Sequence, residues 1–320
     1  MKRALICGIS GQDGSLLAKL LVDKQYTVVG TSRDAELSRF ENLGRLGVRD
    51  KVELRSMSLS DFRSVLQVLT EVAPDEIYNL SGQSSVGLSF AQPVETLESI
   101  AYGTLNLLEA VRFIGRPVRL YNAASGECFG ETSINSPATE SSPFRPRSPY
   151  AVAKAAAFWE VANYREAYGL YACSGILFNH ESPLRPARFV TRKVVQAACR
   201  IASGSRERLQ IGQTSVKRDW GWAEEYVDAM WRMLQQSDAR DYVIATGDSC
   251  RLEDFIALVF AELGLDWRKH TDVDSGLFRA TDIAESYADP SLARKLLGWE
   301  AKVRMPQIVA RLVAAEQQTR

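Results

Sequence analysis

The sequence predicts an α/β fold: a doubly wound parallel sheet of the Rossmann type with a second, smaller α/β lobe at the C-terminal end. Three observations support this prediction. Short apolar runs alternate with longer amphipathic segments, Gly8, Gly11 and Gly14 follow the first apolar run, and the alternation weakens after residue 178. Such alternation is typical of βαβ units, whose parallel sheet is covered by helices on both faces.

The predicted strands and helices can be followed in order along the chain. Runs rich in β-branched and aromatic residues indicate buried strands, and apolar positions that recur every three or four residues indicate helices. The predicted strands are ALIC, YTVVG, DEIYNL, VRLYNAAS and ACSGILF, with seven or so expected before residue 178. The predicted helices are SLLAKLLVDK, SDFRSVLQVLTEV, TLNLLEAVRF, the segment that begins YAVAK, TRKVVQAACRIASG, LEDFIALVFAELG and PSLARKLLG.

The division into domains follows from the point at which this alternation weakens. We expect one domain over residues 1–178 together with part of about 212–245, and a smaller lobe formed by the remaining segments of 179–320. A ligand is then expected in the cleft between them.

Composition excludes several classes of function. The 320 residues carry 39 Lys and Arg against 39 Asp and Glu, so no global positive charge indicates binding to nucleic acid or to an anionic membrane. No apolar stretch is long enough to span a bilayer, and MKRALICGISGQDG does not continue as a signal peptide. The five cysteines are scattered without CxxC spacing, which predicts buried thiols in a reducing, cytoplasmic compartment and no metal site.

The glycines form the pattern G-x-x-G-x-x-G between a predicted strand and a predicted helix. Gly8, Gly11 and Gly14 would allow a tight turn and a close approach of the backbone to a pyrophosphate at the positive end of the helix. An ordinary glycine-rich turn is the alternative, but the flanking elements favour dinucleotide binding.

The end of the second predicted strand bears on which dinucleotide is bound. A site for NAD usually offers a carboxylate to the ribose hydroxyls, whereas Thr31, Ser32 and Arg33 occupy this place. The planar guanidinium of Arg33 suits a 2′-phosphate, so we favour NADP. Asp34 follows directly and keeps NAD as the less favoured alternative.

Tyr150 and Lys154 lie four residues apart where a helix is predicted to begin, so their side chains share one face. A nearby ammonium group would lower the pKa of the phenol and let Tyr150 act as a base toward a sugar hydroxyl. This spacing is common by chance, and it gains weight from the upstream glycines and from Ser125.

Together these residues resemble those of the extended short-chain dehydrogenase/reductase superfamily and, within it, the GDP-mannose 4,6-dehydratase family. The resemblance covers nearly the whole chain. It rests on the segments GISGQDGSLLAKLL, EIYNLSGQSSVGLSFAQP, RSPYAVAK, NYREAYGLYACSGILFNHESPLR, FVTRK, KRDWG and the terminal LGW.

The resemblance implies a redox-neutral rearrangement of a GDP-hexose, with GDP-mannose the expected substrate. Tyr150 would take the proton of the 4-hydroxyl while C4 gives a hydride to NADP. A second base would then remove the C5 proton, water would leave from C6, and the hydride would return to C6. The family places that base at Glu127 and has Ser125 bind the 4-oxygen, with Lys154 beside Tyr150.

The same resemblance assigns the other site residues. The dinucleotide-binding and catalytic domain would hold the cofactor, and the smaller lobe would hold the nucleotide sugar. Besides Arg33, Tyr150 and Lys154, the implied cofactor-binding residues are Gly8, Gly11, Gln12, Asp13, Gly14, Ser58, Leu59, Leu80, Ser81 and His180. The implied substrate-binding residues are Ser84, Asn179, Arg185, Lys193, Arg218, Arg279 and Asp282.

Some residues depart from the family pattern. Gly126 stands where these enzymes commonly have serine, so the proton for water loss would come from Glu127 or from a bound water. Ser58 replaces an aspartate that binds adenine. RATDIAE differs from the usual Arg-Pro-x-Glu-Val-Asp, which leaves base and sugar selection open.

Several alternatives remain on sequence grounds. Glu127 could be a solvated loop carboxylate, and a lone histidine such as His180 is often structural. A 4-epimerase, a 4-keto reductase, a dehydratase of another GDP-sugar such as a GDP-manno-heptose, or a non-catalytic NADP-sensing protein would share much of the pattern. Apolar faces near residue 107 and after Tyr150 predict a homodimer at least, while the short loop SRDAELSR weakens the case for a tetramer.

Overall fold

The computed structural model describes residues 1–318. Its strands are β1 (Arg3–Cys7), β2 (Thr27–Ser32), β3 (Val52–Ser56), β4 (Glu76–Asn79), β5 (Arg119–Ser125), β6 (Tyr171–Leu177), β7 (Asn179–Glu181), β8 (Leu209–Ile211), β9 (Lys217–Trp222), β10 (Tyr242–Ile244), β11 (Ser249–Arg251) and β12 (Thr271–Val273). Its α-helices are α1 (Gln12–Asp23), α2 (Glu41–Arg45), α3 (Phe62–Val72), α4 (Val86–Ala91), α5 (Pro93–Leu97), α6 (Gly103–Ile114), α7 (Pro149–Tyr168), α8 (Val190–Ala202), α9 (Ala223–Met233), α10 (Leu252–Glu262) and α11 (Met305–Gln318).

The large sheet is parallel and has the order β10-β6-β5-β4-β1-β2-β3. The chain moves outward from β1 in one direction and then from β4 in the other, which is the doubly wound arrangement that the sequence predicts. The fold class is therefore confirmed.

Helices cover both faces of this sheet because successive strand side chains point to opposite sides. Ala4 and Ile6 pack into the apolar cluster that includes residues of α1 and α9. Leu5 and Cys7 pack into the opposite cluster, which includes residues of α3, α6 and α7. Burial on both sides explains why the strands are nearly continuous apolar runs.

The number of strands before residue 178 differs from the expected seven or so. Within the described chain, β1 to β6 precede that residue, and β10 supplies the seventh strand of the large sheet by pairing with β6. The segment PSLARKLLG also differs from the expected helix, since it contains a short π-helical turn over Ala293–Leu297. The domain division itself stays a prediction.

The later part of the chain builds its own apolar cluster from α8, α10, α11 and the strands β8 and β9. Two small sheets accompany it, one with the order β11-β9-β7 and one that pairs β12 with β8. Because β7 follows β6 after a single residue, this part begins directly at the carboxyl edge of the large sheet.

The structure also shows how deeply the cysteines are buried and whether the described residues include a metal-binding cluster or a membrane-spanning helix. Of the five cysteines, Cys250 is half-buried and the other four are buried. Across residues 1–318 we find neither a cluster of His, Cys, Asp and Glu able to hold a metal ion nor a helix long and apolar enough to cross a membrane.

Candidate active site

A cavity of about 1160 Å³ lies at the carboxyl edge of the large sheet. Every residue that the sequence predicts for catalysis, cofactor binding or substrate binding contributes to its lining. Loops that follow parallel strands meet at this edge, which is where ligands bind in open α/β sheets. The fold thus brings together residues that are up to 274 positions apart, from Gly8 to Asp282.

The glycine-rich turn is too tightly packed for side chains. Gly8 has a φ of +83°, and a Cβ atom there would lie 2.9 Å from the carbonyl oxygen of Leu80. A Cβ on Gly14 would lie 2.4 Å from the carbonyl oxygen of Gly8. Gly11 caps the N-terminus of α1. The backbone of this turn and the positive end of α1 therefore border the cavity directly, as a pyrophosphate site requires.

The loop after β2 presents an arginine to the cavity. Arg33 lines it with an 86 % exposed side chain, and its nearest charged partner is Glu95, at 3.8 Å. Asp34 is engaged elsewhere, because its Oδ1 accepts hydrogen bonds of 2.9 Å from the backbone N–H groups of Glu36 and Leu37. Arg33 is thus the more available of the two side chains.

The adjacent strand ends complete this side of the cavity. Ser58 and Leu59 follow β3, and Leu80 and Ser81 follow β4; all four line the cavity. The hydroxyl of Ser81 donates a 2.8 Å hydrogen bond to Oδ1 of Asn79, which fixes the start of this loop.

Ser125 and Glu127 are positioned where β5 ends in a turn of 3₁₀-helix over Gly126–Phe129. The Ser125 hydroxyl caps this turn by accepting a 3.2 Å hydrogen bond from the backbone N–H of Glu127. This cap gives the serine a structural role, and both side chains also line the cavity.

Tyr150 and Lys154 are carried by the first turns of α7, as their spacing predicts. Ser148 caps the helix by accepting a 3.1 Å hydrogen bond from the N–H of Ala151, a contact worth about 1 kcal/mol. The Lys154 ammonium donates a 2.7 Å hydrogen bond to the carbonyl of Ala123 and lies 6.0 Å from the centre of the Tyr150 ring. The helix N-terminus thereby sets both groups beside the end of β5.

The pKa of Tyr150 shifts opposite to the expected direction. Burial raises it well above the usual value, while the hydrogen-bonded hydroxyl of Ser125 lowers it. Burial also lowers the pKa of Lys154 to about 8, and the negative charge of Asp13 offsets part of this effect. The physical reason is that both groups leave water, so each neutral form is favoured.

Glu127 is not a solvated loop carboxylate, because its side chain is only 15 % exposed. Burial raises its pKa, whereas Arg218 and Arg279 lower it and Asp282 raises it further. Its Oε1 lies 4.0 Å from Nε of Arg218. A raised pKa makes the carboxylate a stronger base and helps the carboxyl group hold the proton that it has taken.

Asp282 joins the two arginines that the sequence assigns to substrate binding. Its Oδ1 lies 2.9 Å from Arg218 and 3.2 Å from Arg279, and it also accepts a 3.0 Å hydrogen bond from the N–H of Ile283. Arg218 is a buried residue of β9, while Arg279 is 36 % exposed. These residues form a cationic wall beside Glu127 with one acid bound to it.

His180 is held on both sides of its ring. Its Nδ1 is bonded to the carbonyl of Phe178 at 2.7 Å and its Nε2 to Asp13 at 2.9 Å, and the ring stacks on Tyr226. Burial would raise the pKa of Asp13, but His180 outweighs it and lowers that pKa to about 2. The structural role considered for this histidine is therefore present: it ties the start of α1 to β7.

The remaining predicted substrate-binding residues lie at different depths in the cavity. Asn179 begins β7, and Ser84 is exposed in the loop before α4. Arg185 is ion-paired with Glu181 at 3.2 Å, and Lys193 donates a 2.6 Å hydrogen bond to the carbonyl of Gln210.

An aromatic ring packs against Gly126. A Cβ atom at this position would lie 2.9 Å from the ring of the buried residue Phe178. Phe178 lines the cavity. The Phe178 ring thus fills the space that a side chain at residue 126 would need.

Sequence reasoning missed several residues of the site. Glu181 and Phe178 are in the quoted GILFNHES segment, but their partners cannot be read from spacing. Asn79 and Asn122 directly precede the cavity-lining residues Leu80 and Ala123, and they form a buried 3.1 Å hydrogen bond with each other. That pair had a readable signal, because β4 and β5 both contain Tyr-Asn, and the structure pairs the two asparagines in register.

This fold, with its glycine-rich turn and the Ser125, Tyr150 and Lys154 side chains at one cavity, defines an extended short-chain dehydrogenase/reductase. Comparison with known proteins narrows the class. A model of the family described as GDP-mannose 4,6 dehydratase matches residues 5–312, and the chain belongs to this family.

Individual relatives agree with this membership. GDP-mannose 4,6 dehydratase 1 of Arabidopsis thaliana is 44 % identical, over 98 % of this chain and 89 % of its own length. The GDP-mannose 4,6-dehydratase of Vibrio cholerae serotype O1 is 41 % identical, over 98 % and 93 %. Among solved structures, a dTDP-glucose 4,6-dehydratase of Streptomyces venezuelae has a TM-score of 0.88 at 22 % identity and covers 99 % of this chain and 97 % of its own. At that identity the likeness bears on the fold alone.

Proposed function

We propose that the protein is a GDP-mannose 4,6-dehydratase that converts GDP-mannose to the GDP-4-keto-6-deoxy sugar and water. The observation that carries this proposal is Glu127, a mostly buried carboxyl group in the same cavity as Ser125 and Tyr150. An epimerase or a 4-keto reductase of this fold needs one acid/base group, whereas elimination of water needs a second. Family membership supports the same reaction.

The cavity suits a nicotinamide adenine dinucleotide, and NADP is the proposed cofactor. The glycine-rich turn has no room for Cβ atoms at Gly8 and Gly14, so its backbone can approach a pyrophosphate. Arg33 faces the cavity while Asp34 is bonded to its own loop, and this difference supports NADP over NAD. When bound, the cofactor would accept a hydride from C4 of the sugar and return it to C6.

The residues at the end of β5 and on α7 would handle the protons. Tyr150 would take the proton of the 4-hydroxyl, with the Ser125 hydroxyl bonded to the same oxygen. Burial opposes the phenolate, so the positive charge of Lys154 and of the oxidised nicotinamide ring would have to offset that cost.

Glu127 would act twice. It would first remove the C5 proton, which the 4-ketone acidifies, and then give a proton to the departing 6-hydroxyl so that water leaves. C5 would regain a proton when C6 receives its hydride, and the proton that Tyr150 took from the 4-hydroxyl balances this uptake. Gly126 offers no side chain for the second step, and Phe178 occupies the adjacent space. The raised pKa of Glu127 supports this double use.

The diphosphate of the substrate would lie against the cations on the other side of the cavity. Arg218 and Arg279 are the principal candidates, and Arg185, Lys193, Asn179 and Ser84 line the same space. Guanidinium groups bind phosphate oxygens through two parallel hydrogen bonds, which gives both affinity and orientation.

The test is product analysis. Purified protein with NADP is incubated with a panel of GDP-, UDP-, CDP- and dTDP-sugars, and the products are weighed by mass spectrometry. We expect the GDP-mannose product to be lighter by one water. A product of unchanged mass would indicate an epimerase, and preference for another GDP-sugar, such as a GDP-manno-heptose, would show that RATDIAE alters selection.

We also propose a homodimer as the smallest assembly. Exposed apolar side chains lie on α7, on α6 and in the turn before α6: Tyr102, Phe113, Val152 and Trp159. Val152 and Trp159, which are seven residues apart, share one face of α7. The same face of a second copy would cover them in a four-helix arrangement. Light scattering should give a dimer or a larger assembly for the wild type and a monomer for Trp159→Glu; a monomeric wild type would refute this.

The cytoplasmic location stays a prediction.

A further inference from the structure

Asp282 is ion-paired with Arg218 and Arg279, the two arginines that a bound diphosphate would need. Its Oδ1 contacts both Arg218, at 2.9 Å, and Arg279, at 3.2 Å. The Asp282 side chain is 22 % exposed and that of Arg218 only 7 %, so little water screens this contact. The two arginines therefore already hold an anion that belongs to the chain itself.

Arg185 and Lys193 are two other cations of the cavity, and a bound diphosphate would disturb their contacts less. Arg185 pairs with the buried Glu181 and also donates to the carbonyl of His180. Lys193 is bonded to a backbone carbonyl. Asp282, by contrast, lies in a segment where residues 274–281 are exposed, so its carboxylate can leave the arginines without unpacking the core.

We propose that Asp282 is an internal counter-ion, which the diphosphate of the substrate displaces from Arg218 and Arg279 on binding. This inference rests on the proposed function and gives Asp282 a role other than direct contact with the substrate. It makes Asp282 a residue that sets the affinity of the site for anions, because each bound diphosphate must first break its contacts.

The same carboxylate acts on Glu127 through space. Arg218 from β9 faces Glu127, with Arg279 and Asp282 from the exposed segment close by, and Tyr150 from α7 also interacts with it. Asp282 raises the pKa of Glu127, whereas both arginines lower it. Removing the charge of Asp282 would leave the arginines unopposed and should lower the pKa of Glu127 in the free enzyme.

The decisive variant is Asp282→Asn, which keeps the shape and the acceptor for the N–H of Ile283. We expect GDP and inorganic pyrophosphate to bind about five-fold more tightly to this variant by calorimetry, since a partly buried ion pair no longer competes. The limb of the kcat/KM profile that reports Glu127 should move to lower pH. The matched control is Asp272→Asn, which removes a bidentate pair with Arg208 outside the cavity.

Weaker binding of both anions would overturn the proposal, because Asp282 would then contact the ligand or hold the arginines in place. Unchanged affinity and an unchanged profile would overturn it as well. Asp282→Ala provides a second neutral variant should Asp282→Asn misfold. If the wild type binds pyrophosphate but yields no dehydrated product, the proposed function fails while the anion exchange remains measurable.

Discussion

Replacing Glu127 with glutamine tests the proposed reaction most directly. The change keeps the volume and planarity of the side chain but removes its ability to take and hold a proton. Arg218 retains its 2.9 Å contact with Asp282, so the variant should fold and bind the nucleotide sugar. What is lost is the proton transfer at C5 and at the 6-hydroxyl.

The size of the loss follows from the surroundings of Glu127. A positioned general acid/base group contributes about 10²- to 10⁴-fold to the rate. Both transfers would use this one carboxyl, since Gly126 has no side chain and the Phe178 ring lies 2.9 Å from where its Cβ would be. We therefore expect a loss near the upper end, about 10⁴-fold.

The assay separates the half-reactions. Mass spectrometry measures dehydrated product, deuterium uptake at C5 in heavy water measures proton removal, and cofactor absorbance measures oxidation at C4. In Glu127→Gln the first two signals should vanish while the third persists, because Tyr150 and Ser125 are unchanged. Glu131→Gln, an exposed glutamate four residues later, is the matched control and should behave as wild type. Dehydration by Glu127→Gln at a rate close to wild type would refute the reasoning.

Three further predictions concern neighbouring groups. Tyr150→Phe should lower turnover about 10²- to 10⁴-fold and abolish cofactor reduction by bound substrate; normal reduction would exclude Tyr150 as the base. Gly14→Ala places a Cβ 2.4 Å from the carbonyl oxygen of Gly8 and should cost about 1–3 kcal/mol of stability and weaken binding of NADP, whereas Gly44→Ala, with open space around it, should be harmless. The pKa of Asp13, about 2 instead of 3.8, corresponds to about 2 kcal/mol of stability. This contribution is complete above about pH 4 and disappears as the pH falls toward 2, so urea unfolding should separate Asp13→Asn from wild type at pH 6 but not at the lowest pH; equal stability at pH 6 would contradict it.

The glycine-rich turn and the start of α7 were predictable because their signals are local. Gly8 has a positive φ and Gly14 packs on the carbonyl group of Gly8, so the turn itself requires both, and Tyr150 and Lys154 share a helix face through a spacing of four. A site built from such short segments can be read before the fold is known.

The last strand of the large sheet was not predictable in the same way. β10 has only three residues, Tyr242–Ile244, and it joins β6 from about 65 positions away. A run this short has no periodicity that would identify it as a strand. Its position depends on the edge of β6 that does not pair with β5, and only the fold brings the two strands together.

The sequence by itself determined the α/β class and the glycine-rich turn after β1, and it singled out the groups that we propose to move protons. Tertiary structure decided their electrostatic states. Burial raises the pKa of Tyr150 where the local Tyr-Lys spacing predicts a lower value, and Arg218, Arg279 and Asp282 set the environment of Glu127. A pKa depends on desolvation and on charges brought close by folding, and neither is encoded in the spacing of residues along the chain.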